Sequence, residues 1–599
     1  MKSTIETSKW FYVALLVAGL FGADLRAAVT FAVSPSTISN TYAGGITLDI
    51  AGLSAGQSVV VQKFIDGNTN NAIDDADWLA QQFSLTDGQA SVIGGVTNLN
   101  IPGDIAAASG TIRAQLSVQM GGVAQRFVGS FAFRLSSPTS QFEPLTNFFK
   151  ITNSAFAQSF TGTVTSSGTN VPNATVLIFP GSMANSSPSV GVVANNSGSY
   201  TLKADPGTYG LLPFKPGLVT DAAASPTLTL NPGGSVNANL TLLPATYTIS
   251  GRFVDAANSS VGLPGVLVLC QSMDNRLAIG FTDSNGSFTV PVTAGLWGVS
   301  CDDGALPTLG YVGYEDSATS VDTTTGSVAA VNISFPKGTA LIYGSVKDEL
   351  NRPFPGVSLW ASDDIYLFSG SGITDQNGNY VAAVTAGTWY IGADSGSPVL
   401  ANYIVTQGDW FTLADGQAVR KDFTVMPATN HISGYVVDGG NLSPVSGVGV
   451  YCHAYLNGTY YHQYTTTGPD GSYILNVTNG NWTVGLSCGG GGGDSLDSLG
   501  YQCVPEQALT IANNNGTINF TVQPIVNPQP TLALPSKPSA NQFQFQINGV
   551  AGQNYTIQAS TNLSNWGDVR VTNAPSDSFT VRLNGATNSR TFYRVLVGP

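Results

Sequence analysis

Four copies of one glycine-containing motif constrain the fold of this chain more than any other feature. A glycine stands two residues before Val or Phe at positions 162, 251, 344 and 434, so successive copies begin 89, 93 and 90 residues apart (251 − 162, 344 − 251 and 434 − 344). Self-similarity at a nearly constant period is typical of repeated structural units. The sequence therefore predicts four copies of one domain.

Each copy continues with a turn and a strand that carry further glycines at matching places. In the turn, an aromatic residue follows the glycine by two positions: Gly198 and Tyr200, Gly286 and Phe288, Gly378 and Tyr380, Gly471 and Tyr473. Nine residues after each of these glycines stands another, again with an aromatic two positions later: Gly207 and Tyr209, Gly295 and Trp297, Gly387 and Trp389, Gly480 and Trp482. Asn-Gly and Asp-Gly turns readily adopt positive φ, which tight hairpins require.

The strand that precedes this turn in each copy alternates between core-type and other residues. The core-type residues are Val266, Val268 and Cys270 in the second copy, Val357, Leu359 and Ala361 in the third, and Val448, Val450 and Cys452 in the fourth. Period-two alternation is typical of a strand with one buried face. Only 10% of residues are charged and there are 69 glycines and 31 prolines, a composition that favours short strands and turns. The chain is predicted to be all-β.

These motifs together resemble the carboxypeptidase regulatory-like, or transthyretin-like, domain. The matching residues are the opening Gly-x-Val, the strand that begins Pro264-Gly265-Val266 or Pro355-Gly356-Val357, the turn with its aromatic, and the Gly-x-Trp strand. The resemblance covers residues 158–525 and implies tandem seven-stranded Greek-key β-sandwiches. It implies no catalysis, and the broader carbohydrate-binding-like class of this fold implies sugar binding. The first copy departs most, with Asn173-Ala174 in place of Pro-Gly-Val.

The regions outside the copies are also predicted to be β-domains. The predicted boundaries are a signal peptide at 1–28, an N-terminal β-domain at 29–150, repeats at 158–244, 245–337, 338–428 and 429–525, a Pro-rich linker at 526–539, and a C-terminal β-module at 540–599. The last module resembles the C-terminal module of large exported proteins in Verrucomicrobia-type bacteria. That resemblance implies a role in surface retention or export.

The N-terminus predicts export from the cell. Lys2 and Lys9 precede an apolar stretch at residues 11–23, and Ala27 and Ala28 offer a cleavage site. Thirteen helical residues span about 20 Å, short of the roughly 30 Å hydrocarbon core, so a membrane anchor is the weaker alternative. The protein is therefore predicted to be secreted, outside the cell or at its surface, with no membrane span after signal removal. The net charge of −14 argues against nucleic acid as a partner.

Five cysteines in an exported chain predict disulfides. The second repeat has Cys270 and Cys301, and the fourth has Cys452 and Cys488 at nearly equivalent places, whereas the first and third repeats lack both members. This pattern favours one bridge inside each of the two repeats. Buried thiols are the alternative, and Cys503 is either left over or pairs with Cys488 instead. No Cys-x-x-Cys spacing is present, which argues against a zinc site.

The segment 66–77 predicts a calcium loop. Oxygen-bearing side chains stand at its positions 1, 3, 5, 9 and 12, namely Asp66, Asn68, Asn70, Asp74 and Asp77. Ca²⁺ takes six to eight oxygen ligands from such short curved segments, so a structural Ca²⁺ is the expected cofactor. Asn71 replaces the usual glycine and Asp77 the usual bidentate glutamate. The alternative is a polar turn held by its own hydrogen bonds.

Catalysis has little support in the sequence. The only histidines are His431, His453 and His462, so a histidine-based triad or metal centre has few candidate members. Gly-x-Ser-x-Gly, His-Glu-x-x-His and phosphate-loop motifs are absent from the sequence. The chain is predicted not to be an enzyme.

An aromatic face in the fourth repeat predicts ligand binding. Tyr451, His453 and Tyr455 alternate with core residues and point outward, as does Trp360 in the third repeat. Exposed rings present flat faces on which sugar rings can lie, and large exposed apolar patches mark interaction sites. Cross-strand aromatic pairing is the alternative. The leading interpretation is a secreted structural or adhesive spacer, and the second is a carbohydrate-binding accessory protein whose partner is an extracellular polysaccharide or a cell-surface component.

Overall fold

The computed structural model describes residues 28–42, 44–118, 123–180, 190–301, 303–314, 318–394, 397–489, 494–525, 530–584 and 590–598. The predicted signal segment lies outside them, apart from Ala28. Throughout this part of the chain the fold is all-β, as predicted, and no helix there is long and apolar enough to cross a membrane. There are two compact units: unit 1 comprises Met1–Thr429, Tyr455–Gln463 and Asn476–Thr478, and unit 2 comprises Asn430–Ala454, Tyr464–Leu475 and Asn479–Pro599.

The N-terminal domain is a sandwich of a three-stranded and a five-stranded sheet. Ile50, Phe131 and Phe149 are among the side chains that fill the space between the sheets. Its strands are Thr30–Ser34, Thr37–Ser39, Gly45–Ala51, Ser58–Ile65, Trp78–Thr86, Val92–Ile93, Val96–Thr97, Thr111–Ser117, Gly129–Ser136 and Leu145–Thr152, with a 3-10 turn at Val123–Arg126.

Repeats 1 to 3 lie in unit 1, and each is a β-sandwich with its own apolar core. The strands of repeat 1 are Ser159–Ser166, Thr169–Asn170, Thr175–Pro180, Val190–Val193, Ser199–Lys203, Gly207–Phe214, Leu218–Asp221, Thr227–Leu230, Ser235–Asn237 and Leu240–Pro244. Those of repeat 2 are Tyr247–Asp255, Leu267–Ser272, Arg276–Phe281, Ser287–Val292, Leu296–Cys301, Gly313–Tyr314, Thr319–Asp322 and Val328–Phe335, with a helical turn at Leu306–Leu309 preceded by a 3-10 turn at Asp303–Ala305. Those of repeat 3 are Ala340–Asp348, Ser358–Asp363, Phe368–Ile373, Asn379–Val384, Gly387–Ala393, Tyr403–Thr406, Asp409–Leu413, Ala418–Arg420 and Phe423–Pro427, with a 3-10 turn at Pro398–Leu400.

Unit 2 holds most of repeat 4 and the C-terminal module. The strands of repeat 4 are Asn430–Asp438, Gly449–Leu456, Thr459–Thr466, Ser472–Val477, Gly480–Leu486, Gln507–Ile511, Gly516–Thr517 and Phe520–Val522. The C-terminal module has two three-stranded sheets around Phe545, Ile547 and Tyr555, with strands Thr531–Ser539, Gln542–Asn548, Asn554–Ser560, Gly567–Asn573, Ser578–Asn584 and Phe592–Val597. Thr531–Ser539 pairs with Gln542–Asn548, so most of the predicted linker is a strand of the module. The linker boundary was therefore wrong, because Pro535 and Pro538 lie on an exposed edge strand, where proline is tolerated.

One arrangement recurs in every repeat. A four-stranded sheet contains a hairpin, the Gly-x-aromatic strand and the strand paired with the far edge of that strand. In repeat 3 its order is Phe368–Ile373, Ser358–Asp363, Gly387–Ala393, Asp409–Leu413. The other sheet places the opening strand beside the closing strand in parallel, as in Ala340–Asp348 beside Phe423–Pro427. The aromatic of the Gly-x-aromatic strand is buried between the sheets, and Trp297, Trp389 and Trp482 are each 1% exposed.

The opening glycine of each repeat is required by a close approach of the closing strand. A Cβ at Gly162, Gly251, Gly344 or Gly434 would lie 2.0, 1.8, 1.7 or 1.6 Å from the carbonyl oxygen of Ala238, Val331, Lys421 or Ile518. The turn aromatic packs on the same glycine, and the hydroxyls of Tyr200, Tyr380 and Tyr473 donate to these carbonyls at 2.6, 2.8 and 2.7 Å. The repeated glycine and the repeated aromatic are therefore two parts of one contact, the glycine–aromatic lock.

Short strands, here called joint strands, link successive repeats within unit 1. Leu218–Asp221 pairs with the closing strand of repeat 1 and, through Thr220, with Leu277 in the hairpin of repeat 2. Gly313–Tyr314 pairs with Phe368–Ile373 of repeat 3, and Val405 of Tyr403–Thr406 pairs with His462. Repeats 1 to 3 each keep their own core, and the sheet of repeat 1 runs on into that of repeat 2.

The N-terminal domain packs against the first two repeats, also within unit 1. Leu177 of repeat 1 is part of its core, and Leu269 of repeat 2 packs against that core. The rings of Trp78 and Phe281 stack with centroids 6.0 Å apart. Leu177 and Leu269 occupy equivalent outward positions of the four-stranded sheets, so the same sheet face is covered in both repeats.

Candidate functional sites

The predicted calcium ligands converge in one closed loop between strands Ser58–Ile65 and Trp78–Thr86. The Asn68 and Asn70 amide nitrogens donate to the Asp74 carboxylate at 3.0 and 2.6 Å. The backbone N–H of Asn70 donates to Asp66, which is fully buried, at 3.3 Å. Asp77 accepts from the backbone N–H groups of Gly67 and Asp74 at 2.9 and 3.0 Å. All five predicted ligands are thus brought together.

The pKa values of Asp74 and Asp77, the last two carboxylates among the predicted ligands, shift in opposite directions. Hydrogen bonds from the backbone of Ala76 and from Asn68 and Asn70 lower the pKa of Asp74. Burial raises the pKa of Asp77, and the nearby charges of Asp66 and Asp74 raise it further. Burial and, to a smaller degree, the charges of Asp66 and Asp74 therefore oppose the ionisation of Asp77, and a bound cation would relieve that repulsion.

The loop is also complete without an ion. The backbone N–H groups of the loop satisfy the carboxylates, and Asn71 adopts the left-handed φ of 56° that the turn requires. Among the described residues, no group of three or more His, Cys, Asp or Glu is arranged to hold a metal ion. Calcium at Asp66, Asn68, Asn70, Asp74 and Asp77 stays a prediction.

The predicted aromatic face of repeat 4 lies on strand Gly449–Leu456. The rings of Tyr451 and His453 are nearly parallel with centroids 6.3 Å apart, and the Tyr451 hydroxyl donates to Glu506 at 2.8 Å. Tyr455 is 73% exposed and packs edge-on against Tyr460 at 5.0 Å. These contacts are the ring-to-ring pairings that stabilise sheets by themselves. Ligand binding by Tyr451, His453 and Tyr455 stays a prediction.

The structure places the disulfide differently from the leading prediction. Cys488 is bonded to Cys503, which is the alternative pairing, so a Cys452–Cys488 bridge is wrong. The reason is register: Cys452 lies opposite Val484, four residues before Cys488, which follows the end of the Gly480–Leu486 strand.

The predicted bridge in repeat 2 fails for a related reason. Cys270 lies opposite Val299, whereas Cys301 lies opposite Val268. The two cysteines are therefore diagonal neighbours, and Cβ atoms at that spacing are farther apart than the roughly 4 Å a disulfide requires. No bond joins them in the structure. Burial raises the pKa of the Cys270 thiol to about 12, which makes it unreactive.

Cys503 also occupies a special position in repeat 4. The segment around Cys503 aligns with the joint strands of repeats 1 and 3. Tyr501 pairs with Pro524 as Leu218 pairs with Pro244 and Tyr403 with Pro427. By this alignment Cys503 corresponds to Thr220 and Val405, each of which pairs with a following hairpin. In repeat 4 a covalent bond to Cys488 stands at the place where the earlier repeats form a joint.

A further aromatic cluster in repeat 3 was missed apart from Trp360. Trp360, Tyr390 and Trp410, here called the aromatic row, lie on three adjacent strands, with ring centroids 5.2 Å apart for the first pair and 5.4 Å for the second. The outward side of Tyr390 follows from its place beside the buried Trp389. Trp410 enters the row only through its pairing with Tyr390, which the sequence does not reveal.

Comparisons with known proteins give no family. No protein-family model matches the chain, and no curated protein matches it. The similar solved structures include a Bacillus anthracis TIE protein (11% identity, 83% of this chain and 75% of that chain covered, TM-score 0.15) and a streptococcal ancillary pilin (16%, 46% and 98%, 0.16). The major pilin subunit BcpA of Bacillus cereus is another (10%, 46% and 99%, 0.15). Scores this low carry no conclusion about this chain, and the carboxypeptidase regulatory-like resemblance stays a prediction.

Proposed function

We propose that this chain is a secreted, non-catalytic structural or adhesive protein in which tandem β-sandwiches act as a spacer outside the cell or at its surface. The observation that supports this most is the way in which repeats are joined. The joints in unit 1 are backbone pairings between strands, namely Thr220 with Leu277, Gly313 with Ser369, and Val405 with His462. Flexible Gly- and Ser-rich linkers would let domains move independently, whereas paired strands restrict bending at each joint.

Hydrogen exchange in the full chain tests this proposal. Amides of the joint strand Leu218–Asp221 and of its partner Arg276–Phe281 should exchange about as slowly as those of the core strand Leu267–Ser272, because stable pairing protects amides from solvent. The exposed turn around Asn285 provides the fast-exchanging control. Fast exchange at the joint beside a protected core would contradict a spacer. Hydrolysis of a polymer by the purified chain would separately contradict the non-catalytic assignment.

We also propose that the loop from Asp66 to Asp77 binds a structural Ca²⁺. The convergence of its five oxygen-bearing side chains and the raised pKa of Asp77 support this. Terbium is a luminescent substitute for calcium, and Trp78 adjoins the loop as an energy donor. We expect terbium luminescence that Ca²⁺ displaces and that Asp77→Asn abolishes, with Asp75→Asn as the matched control. Equal luminescence in both variants, or none in the unmodified chain, would refute the site.

The alternative function, carbohydrate binding through repeat 4, rests on its outward rings. Polysaccharide pull-down by the full chain, lost in a variant with Tyr451→Ala and Tyr455→Ala, would support it. Retention of binding in that variant would exclude these two residues as the ligand site.

A further inference from the structure

The aromatic row of repeat 3 is exposed in a way that the fold does not explain. Trp360 and Trp410 are 42% and 49% exposed, while Tyr390 between them is half-buried. Trp360 lies opposite Gly392 in the sheet, and Tyr390 lies opposite Trp410. The row therefore crosses three strands on the solvent side of the four-stranded sheet.

The sister repeats show that this sheet folds without the row. Strand register identifies the equivalent positions, which hold Leu177, Gly210 and Thr227 in repeat 1, Leu269, Gly298 and Ser320 in repeat 2, and Tyr451, Thr483 and Ala508 in repeat 4. Three copies of the same sandwich thus form with at most one aromatic there. The three rings of repeat 3 are an addition to the fold.

The same face is an interaction surface in repeats 1 and 2. There the N-terminal domain covers it, with Leu177 and Leu269 packed into or against that domain's core. The covered faces carry Leu177 beside Gly210 and Leu269 beside Gly298, with no aromatic ring at these positions. Repeat 3 replaces these residues with rings that remain half-exposed.

Glycines hold the rings of the row close to the sheet. A Cβ at Gly392 would lie 2.9 Å from the Tyr390 ring, and one at Gly408 would lie 2.6 Å from it. The ring of Tyr390 therefore lies over bare backbone, braced on either side by Trp360 and Trp410. Rings held in this way lose little conformational entropy when a ligand binds.

We propose that the aromatic row is a binding site for a neutral, unbranched glycan of equatorially substituted pyranoses, such as a β-1,4-linked glucan. Such sugars expose C–H groups on both ring faces and hydroxyls around the rim. The indole and phenol faces match the C–H faces. Ser371, opposite Trp360, and the mutually hydrogen-bonded pair Thr388 and Thr412 border the row with hydroxyl groups. The ring centroids lie 5.2 and 5.4 Å apart, comparable with the length of one sugar unit, and the rings are tilted by 43° and 58°, so the row is a stepped rather than a flat surface.

Charge and area favour this ligand over an anionic polymer or a protein. Lys421 and Asp409, the residue before Trp410, form an ion pair of 2.7 Å. The exposed carboxylates of Asp364, opposite Thr388, and of Asp394, opposite Ser358, flank the row and disfavour an anionic ligand. A stable protein interface buries about 800 Å² on each partner, and three half-exposed rings supply only a small part of that area.

The test measures the binding of cellohexaose to the full chain by calorimetry and by tryptophan fluorescence. The test variant, the double exchange, carries Trp360→Leu and Trp410→Ser. Repeat 2 has Leu269 and Ser320 at these positions, so the sandwich folds with these residues there. Tyr435→Leu, at a 53% exposed ring outside both candidate sites, is the matched control, and Tyr451→Leu tests the alternative site in repeat 4. We expect the unmodified chain and the control to bind, and the double exchange to weaken binding at least tenfold.

Each outcome decides the proposal. Equal binding by the double exchange, or no binding of cellohexaose by the unmodified chain at millimolar concentration, would overturn it. Loss of binding in the Tyr451→Leu variant alone would move the site to repeat 4. Concentration-dependent self-association that the double exchange abolishes, without cellohexaose binding, would show that the row binds a second copy of the chain instead. Slow exchange at the joints would be unaffected in every case, so the spacer proposal stands or falls separately.

Discussion

Repeats 3 and 4 have the same kinds of core contact but different residues on their outward faces. Inside, Trp389 and Trp482 are equally buried, and Tyr380 and Tyr473 donate to the carbonyl that passes over Gly344 or Gly434. Outside, repeat 3 has an aromatic ring on each of three adjacent strands. At the same three positions repeat 4 has one ring, Tyr451, followed by Thr483 and Ala508.

This difference shows that the two faces of a strand follow different constraints. Inward positions are restricted by the opposite sheet, so the same residue types return at fixed offsets in each repeat. Outward positions are restricted only by what covers them: a protein domain over Leu269, a hydrogen bond to Glu506 at Tyr451, and solvent at Trp360. Differences between the repeats therefore indicate function better than their similarities do.

The largest expected effect tests the shared interior. Gly434→Ala places a Cβ 1.6 Å from the Ile518 carbonyl oxygen, and no rotamer relieves a backbone clash. Gly344→Ala creates the same conflict with Lys421. Both substitutions should destabilise their own repeat by more than about 3 kcal/mol, at the upper end of overpacking effects. Hydrogen exchange of repeat 3 and repeat 4 peptides in the full chain measures each loss.

Gly567→Ala is the control for these two variants. No atom lies within 4 Å of a Cβ at that position, and its φ is not in the left-handed region, so exchange in the C-terminal module should change little. If Gly344→Ala and Gly434→Ala differed strongly from each other, the two interiors would not be equivalent.

The second effect belongs to repeat 4 alone. Cys503→Ser removes the disulfide between two cysteines that lie 15 residues apart in the sequence. The loop-entropy estimate for such a bond predicts a loss of up to about 3 kcal/mol in the free energy of unfolding. The loss should appear as faster exchange in repeat 4 only, and a reducing agent should reproduce it. Cys301→Ser in repeat 2, which leaves the Cys488–Cys503 bond intact, is the matched control. An equal loss in both variants would contradict the observed pairing.

The third effect separates the hydroxyl of the glycine–aromatic lock from its ring. Tyr473→Phe and Tyr380→Phe each remove one hydrogen bond to a backbone carbonyl, worth about 1 kcal/mol. Repeat 2 already has Phe288 at this position, so the ring alone supports the fold. Phe288→Tyr in repeat 2 offers the reverse change. A loss above about 3 kcal/mol in either Tyr→Phe variant would mean that the hydroxyl, rather than the ring, holds the lock.

These features differ in how far the sequence could predict them. The repeated glycines and aromatics revealed the fold, because each is a local requirement at a constant offset. The alternation also placed Trp360 and Tyr451 on the outward face. Register could not be predicted: it separates Cys270 from Cys301, brings Cys503 to Cys488, and sets Trp410 beside Tyr390. Pairing between strands depends on turn geometry and on contacts far apart in sequence.

The smallest expected effect on stability is the one that distinguishes the two outward faces. Trp360→Leu and Tyr451→Leu each introduce the residue that repeats 1 and 2 carry at the same position, Leu177 and Leu269. Because neither side chain reaches the core, Trp360→Leu should change the free energy of unfolding by no more than about 0.5 kcal/mol, as exposed substitutions usually do. Tyr451→Leu should change it by no more than about 1 kcal/mol, because it also removes the hydrogen bond to Glu506. If Trp360→Leu cost several kcal/mol, the row would be a structural element of repeat 3 and its exposure incidental. Near-equal stability combined with weakened cellohexaose binding in Trp360→Leu alone would instead mean that the rings serve a ligand, since the fold is indifferent to them.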